Sequence, residues 1–288
     1  QTLLIAQGYL TPEDHFAALY AHPDIKYEPM SAGRQMVGHF SNKLIDENGN
    51  WLDQTKQRNH VADVSSIGAQ MPRLVGLAQA SKIYRKLDIR GSEKFSKNGN
   101  EIAWGTIGNA GTSEGLFFEA INAIGVLQIP VVMSVWDDGY GISVKNEQQT
   151  TKQSISDALD GFKKGDDLNG LEILTVKGWD YSALIKTYSY ASKLARKNHI
   201  PVLVHVTELT QPLGHSTSGS HERYKSKERL EWERENDCNK KMREWILSNG
   251  FSSEKDLIEI ENSIKKQVKE ARKQAWKNYQ KPIIDLRE

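Results

Sequence analysis

The chain has 288 residues, and 38 Lys plus Arg against 37 Asp plus Glu leave a formal charge of +1. Nothing in that balance calls for a nucleic acid or an anionic membrane as partner. A single cysteine, Cys238, excludes an internal disulfide; with no Asn-x-Ser/Thr sequon, a reducing, cytoplasmic setting is expected.

The chain opens QTLLIAQG, without Met and already helical in character, so a preceding segment is expected. Residues 11–21 read as a helix: Thr11 suits the cap, Pro12 the first turn, and Glu13 and Asp14 the dipole. Residues 22–60 are polar and irregular, as functional or partner-covered loops are. Helical periodicity resumes over 66–85, with Met71, Leu74, Leu77 and Ala78 on one face. Residues 101–107 predict a strand, 113–127 an amphipathic helix and 131–135 a strand buried on both faces. The longest apolar run, 120–136, contains Asn122, Gln128 and Pro130, and parses as helix then strand rather than as a membrane span. A helix over 154–162 precedes a strand at 172–176, and a helix over 181–198 precedes a strand at 202–209.

Alternating helices and strands predict an α/β, doubly wound, mainly parallel sheet flanked by helices. Residues 211–226 lack either period, and 227–279 are charged and helical. The apolar residues of that last stretch, among them Leu230, Trp232, Ile260 and Ile264, predict a packing stripe. The expected organisation is an N-terminal helix and arm (1–60), an α/β core (61–210), a site-facing loop (211–226) and a helical C-terminal tail (227–288).

The stretch 107–144 carries the chemistry. In an open parallel sheet, ligands bind at the carboxyl ends of the strands. Gly108-Asn109 follows one strand and Asp137-Asp138 the next. If those strands are neighbours, about 4.8 Å apart, Asn109 and Asp138 can share one hard cation such as Mg²⁺. Between them, Ala110, Gly111, Thr112 and Ser113 lead into a helix N-terminus, which favours phosphate. A Mg²⁺-bridged diphosphate is the natural occupant. Taken singly, GNAG and DDGY are ordinary turns, and neither GxGxxG nor GxxxxGK[ST] occurs.

Gly108-Asn109-Ala110, followed by helix and strand up to Asp137-Asp138, resembles the thiamin diphosphate motif GDG…NN. SEGLFFEAINAIGVLQIPVV…GYGIS, with AGRQMVGHF, SSIGAQMPRLVGLAQASK and GHSTS, resembles the α subunit of the decarboxylating component of 2-oxoacid dehydrogenase complexes. The likeness runs over nearly the whole chain. WDDGYGIS and HSTSGSHERYKSKERLEWE look most like the branched-chain (2-oxoisovalerate) type, especially with α and β halves fused.

The resemblance implies the thiamin diphosphate-binding fold. It gives Mg²⁺ to Asn109, Asp138 and the Tyr140 carbonyl, and the diphosphate to Gly108, Ala110 and Gly111. Ile67 and Ile142 would contact the aminopyrimidine. His215 would face the reacting centre as the catalytic proton carrier, and Gln70 would order the turn beneath the cofactor. Ser216, matching a phosphorylated position of animal relatives, is read as a turn-forming serine, and His39 and His205 as structural. By the resemblance, His221, Tyr224 and Lys225 would help order the loop or meet the lipoyl domain; by themselves they read as solvated surface. The implied partners are a β subunit or β half, which brings the activating Glu, and the lipoyl domain of the acyltransferase core, in an α2β2-type assembly.

This chain departs from the family pattern. Asn109 stands for an acid and Asp138 for an amide, an exchange that keeps the ligand charge. Trp136 replaces a phosphate-binding Arg, and Ala69 a K⁺-ligating Thr. The family's Tyr-Arg diphosphate clamp lies upstream of the position matching Gln1. Three functions stay open: branched-chain 2-oxoacid dehydrogenase α part, pyruvate or acetoin dehydrogenase α subunit, or a degenerate α-like assembly domain.

Overall fold

The computed structural model describes residues 2–35, 40–61, 66–215 and 219–287. In chain order the elements are α1 (Thr2–Ala6), α2 (Pro12–Leu19), α3 (Met71–Lys86), β1 (Ala103–Gly108), α4 (Gly115–Leu127), β2 (Val131–Trp136), β3 (Tyr140–Gly141) and β4 (Val144–Lys145). They continue with α5 (Ile155–Ala158), β5 (Glu172–Lys177), α6 (Tyr181–Asn198), β6 (Val202–Thr207), α7 (Lys227–Glu235), α8 (Cys238–Ser248) and α9 (Glu254–Asp285). They form two units, Ser65–Asn249 and Gln1–Val64 with Gly250–Glu288. The second unit joins α9 to the N-terminal helices, a grouping no composition boundary in the sequence marks.

In the larger unit, four parallel strands lie in the order β1-β2-β6-β5. The chain steps from β1 to its neighbour β2 through α4. It then skips a place to β5, and α6 brings β6 back into the gap. Side chains alternate across the sheet. Val131, Met133, Val135 and Leu203 pack with Met71 and Leu74 of α3 and Phe117, Ile121 and Ile124 of α4. Val132, Val202, Val204 and Val206 pack with Ala191 and Ala195 of α6. Each such large side chain, fully buried, contributes about 1.5–3 kcal/mol. Helices on both faces make this a doubly wound α/β domain, and α7, α8 and α9 make the C-terminal region helical, both as expected.

Boundaries follow local chemistry. α3 starts at Met71 rather than 66 because Gly68 turns the chain at φ +78° and Pro72 suits a first turn. The helix expected over 154–162 is a single turn, α5, followed by a 3-10 turn at Asp160–Phe162. Only Ile155 and Leu159 of that stretch are buried, too little to hold a longer helix.

In the smaller unit, the predicted first helix is α2, closed by a Thr11–Asp14 capping box. The C-terminal part of α9 packs on α2, with Ala275 buried, Trp276 edge-on to Tyr20 at 5.1 Å, and Asn278 Nδ2 donating to Glu13 Oε1 at 2.9 Å. The stripe expected at Ile260 and Ile264 is not buried: both are exposed, in the part of α9 that precedes those contacts. Among the described residues, no helix is long and apolar enough to cross a membrane.

Candidate active site

β1 and β2 are hydrogen-bonded neighbours in register, with Gly108 opposite Trp136. The residues that follow each strand therefore emerge level with one another. Asn109 N donates to Trp136 O at 3.0 Å. Asp137 is tied to the strand beyond, its N–H donating to Val206 O at 2.9 Å and its carbonyl accepting from Leu209 N at 3.1 Å. The chain then turns sharply at Gly139, φ +84°. Each aspartate caps this turn: Asp137 Oδ1 accepts from Gly139 N at 2.7 Å and Asp138 Oδ1 from Tyr140 N at 3.0 Å. The β3–β4 hairpin that follows sits against the small-residue turn. A Cβ on Gly141 would lie 2.6 Å from that of Ala110, so only glycine fits.

These contacts gather the predicted ligands. Asn109, itself buried, donates from Nδ2 to Tyr140 O at 2.9 Å and to Asn146 Oδ1 at 2.7 Å. Tyr140 thus links the two, accepting from the Asn109 amide at its carbonyl and donating to Asp138 from its N–H. The two aspartates there differ sharply. Burial pushes Asp137 up, but hydrogen bonds from His205, Gly139 and Asn146 outweigh it and hold the carboxyl below its ordinary range. Burial raises Asp138 above its ordinary range; the Tyr140 N–H and Lys225 lower it only in part, and Asp137 and Glu233 add to the rise.

A half-buried carboxylate whose pKa is raised, such as that of Asp138, is short of positive charge. That is the environment a hard divalent cation relieves, and the all-oxygen donor set fits Mg²⁺. Among the described residues no group of three or more His, Cys, Asp or Glu is placed to hold a metal ion by side chains alone.

The approach to this surface is apolar and small. Gly108 faces open space, whereas a Cβ on Gly111 would meet Ile107 at 2.9 Å and Ile67 at 3.3 Å. Ile67 thus touches the turn while remaining 66% exposed, and Ile142 is 50% exposed. Ile142 also holds φ +57°, a strained conformation for a β-branched residue and one that collects at ligand sites. Thr112 is fully buried, its hydroxyl donating to Asn109 O at 2.5 Å. The helix proper begins only at Gly115, after a 3-10 turn at Ala110–Ser113. Gln70 buries Oε1 without a hydrogen-bond partner. His215 is exposed on its loop. Ser216 and His39 lie outside the described residues.

Side chains that the sequence placed on the surface support the turn from below. Lys225 is buried and donates from Nζ to both oxygens of Glu233, at 2.8 and 3.0 Å. Arg229 donates from Nε to Glu233 Oε1 at 2.8 Å and from an η nitrogen to Asp138 O at 2.8 Å. The Lys225 ammonium stands 4.9 Å from the Tyr140 ring centre. His221 is buried as well, and Tyr224 packs at 5.8 Å from Tyr140 with its hydroxyl buried. The solvated-surface reading of these residues is therefore wrong. The charged run of α7 hid a buried ion pair, of which only the i,i+4 spacing of Arg229 and Glu233 was visible in the sequence. His205 is structural as read, but it also reaches the site: Nε2 lies 3.0 Å from Asp137 Oδ2 and Nδ1 lies 3.0 Å from Ser156 Oγ.

The family model for the dehydrogenase E1 component matches residues 3–284. This chain belongs to that family. Among its relatives, a pyruvate dehydrogenase E1 component subunit alpha of Rickettsia bellii (strain RML369-C) is 30% identical over 205 residues, 71% of this chain and 56% of the relative. A mitochondrial 2-oxoisovalerate dehydrogenase subunit alpha 2 of Arabidopsis thaliana is also 30% identical, over 255 residues, 88% of this chain and 46% of the relative. The chain thus spans about half the length of these curated relatives. A transketolase structure from Campylobacter jejuni subsp. jejuni NCTC 11168 overlays with a TM-score of 0.38 and 18% identity, over 49% of this chain and 20% of that one, too partial to bear on the fold.

Proposed function

We infer that this E1 family member is the α part of a thiamin diphosphate-dependent 2-oxoacid dehydrogenase, of the branched-chain type. One observation supports the reading: neighbouring parallel strands end level, and beyond them Tyr140 takes a hydrogen bond from the Asn109 amide at its carbonyl and gives one to the Asp138 carboxylate from its N–H. The residues fit Mg²⁺. Asn109, Asp138 and Tyr140 O would hold it, with Gly108, Ala110 and Gly111 along the diphosphate and Ile67 and Ile142 at the aminopyrimidine. When bound, thiamin diphosphate supplies the nucleophilic carbon and the electron sink for decarboxylating a 2-oxoacid.

The chain's own part is to neutralise the diphosphate through the cation, fix its position and exclude water. His215 would serve acyl transfer to a lipoyl group as a proton carrier. A β subunit or β half would bring the activating Glu, so the chain by itself is expected to be inactive. α2β2 assembly, a lipoyl-bearing acyltransferase core and a cytoplasmic setting belong to the same proposal.

The test is calorimetric titration of thiamin diphosphate and Mg²⁺ into the α–β pair, wild type and Asp138→Ala. Saturable Mg²⁺-dependent binding that Asp138→Ala abolishes supports the reading. Normal binding by the variant sinks the metal assignment, and no binding by the wild type favours an assembly role. Pyruvate is the second substrate reading, because the Rickettsia relative bearing that name is as similar as the 2-oxoisovalerate one. Product analysis with pyruvate and branched 2-oxoacids separates them.

A further inference from the structure

An amide differs from a carboxylate as a metal ligand in one respect: its two ends are unlike. Only Oδ1 can ligate a cation, and something must hold Nδ2 away from it. In the structure both N–H groups of Asn109 are engaged, which fixes the end of the amide that Oδ1 presents.

The chain of contacts starts at Asp137. Three donors make four contacts with its two oxygens: Gly139 N at 2.7 Å, Asn146 Nδ2 at 2.8 and 2.9 Å to the two oxygens, and His205 Nε2 at 3.0 Å. The carboxylate only accepts, so Asn146 must present its nitrogen to it. Reversing that amide would set Oδ1 against the carboxylate oxygens. Asn146 Oδ1 is thereby turned to Asn109, whose Nδ2 donates to it at 2.7 Å. The second N–H of that nitrogen goes to Tyr140 O at 2.9 Å. Both N–H groups of Asn109 are then engaged, and Oδ1 is the end left for a ligand. His205 is held from both sides: the acceptor-only carboxylate of Asp137 requires the proton on Nε2, and Nδ1 lies 3.0 Å from the Ser156 hydroxyl. His205, Asp137 and Asn109 are all buried, where a reversed amide would leave polar atoms unsatisfied.

The geometry points to Asn146 as a positioning residue for the cation, one that sets which end of the Asn109 amide meets it, with Asp137 and His205 as its anchor. This assignment rests on the proposed cofactor reading. It brings residues from the hairpin (Asn146), the end of β2 (Asp137) and the neighbouring strand β6 (His205) to bear on a ligand that follows β1.

The experiment measures the Mg²⁺ concentration that half-saturates thiamin diphosphate binding, by calorimetry on the assembled α–β pair. Asn146→Ala frees the Asn109 amide to rotate, and the half-saturating Mg²⁺ should rise about 10–100-fold, the usual cost of losing an orienting partner. In an Asn109→Asp background the same change should cost less than about 3-fold, since a carboxylate presents equivalent oxygens and needs no orienting. A residue that merely braced the hairpin would cost the same in both backgrounds. Should Asn146→Ala misfold, Asp137→Asn serves instead: nearly isosteric, it removes the acceptor-only anchor and should raise the requirement several-fold. Unchanged Mg²⁺ dependence in these variants, or equal effects with Asn109 and with Asp at that position, overturns the assignment and leaves the cofactor reading standing. A wild-type pair without Mg²⁺-dependent binding overturns both.

Discussion

Lys225→Met probes the ion pair beneath the candidate site. Its ammonium is buried against a buried Glu233, with two hydrogen bonds at 2.8 and 3.0 Å. Removing one partner of such a pair costs about 3–5 kcal/mol, because the other charge stays buried. Arg229 still donates to Glu233 at 2.8 Å, so the loss should fall near the lower end, about 3 kcal/mol. For a unit of this size each kcal/mol moves the midpoint by about 2–4 °C, so thermal unfolding followed by circular dichroism should drop by about 6–12 °C. Glu233→Leu strips the partner from both cations and should cost more. The double variant Lys225→Met/Glu233→Leu removes the buried charges together. It should be markedly more stable than the sum of the single losses requires. A Lys225→Met shift below about 2 °C, or additive losses in the double variant, would refute the claim that this pair is buried and mutually dependent.

Gly141→Ala sets a Cβ 2.5 Å from Gln149 Oε1 and 2.6 Å from the Ala110 Cβ, and overpacking of that kind costs about 1–3 kcal/mol in urea unfolding; because Ala110 lines the same turn, the variant should also need more Mg²⁺ for cofactor binding. Glu28 gives a pH signature in the smaller unit. Burial raises its pKa, but hydrogen bonds from Gly33 N, the Ser31 hydroxyl and N, and Met30 N outweigh it and depress the folded value. A depressed carboxyl stabilises fully above the unfolded value of about 4.3 and loses that contribution as pH falls through the folded value. The urea midpoint of wild type should therefore exceed that of Glu28→Gln at pH 7, and the gap should shrink on acidification; a constant gap refutes the linkage. His215→Ala should leave cofactor binding intact while slowing acyl transfer to a lipoyl acceptor by about 10²-fold, and unchanged turnover would make His215 structural.

The sheet was legible because its strands carry their own signal. Val131–Trp136 and Val202–Thr207 are continuous apolar runs, which only a doubly covered parallel strand explains. α6 was read to the residue because Asp180 caps its start and His199, at φ +54°, ends it. The pairing of Asn109 with Asp138 was conditional on strand adjacency, and adjacency is what local pattern cannot supply. What stayed hidden shares one cause. Lys225, Arg229 and Glu233 lie in a run that composition marks as solvated, and their burial depends on Asp138 and Tyr140, some ninety residues earlier. Asn146 and His205 likewise gain meaning only from Asp137, which the backbone of β6 holds in place.

The charge around the turn then says what this chain can and cannot contribute to holding a diphosphate. Asp137, Asp138 and Glu233 are gathered close together, and the cations among them are already committed. Lys225 is bound to Glu233, and Arg229 to Glu233 and the Asp138 carbonyl. Trp136, at the end of β2, offers no charge. An anionic ligand brought to Gly108 and Gly111 would therefore meet a surface that repels it unless a divalent cation came with it. If the proposed cofactor binds here, Mg²⁺ would be a condition of diphosphate binding rather than an aid to it. Thiamin diphosphate should accordingly show no measurable affinity for the α–β pair once Mg²⁺ is chelated, and metal-independent binding would mean that the diphosphate is held by charges outside this chain.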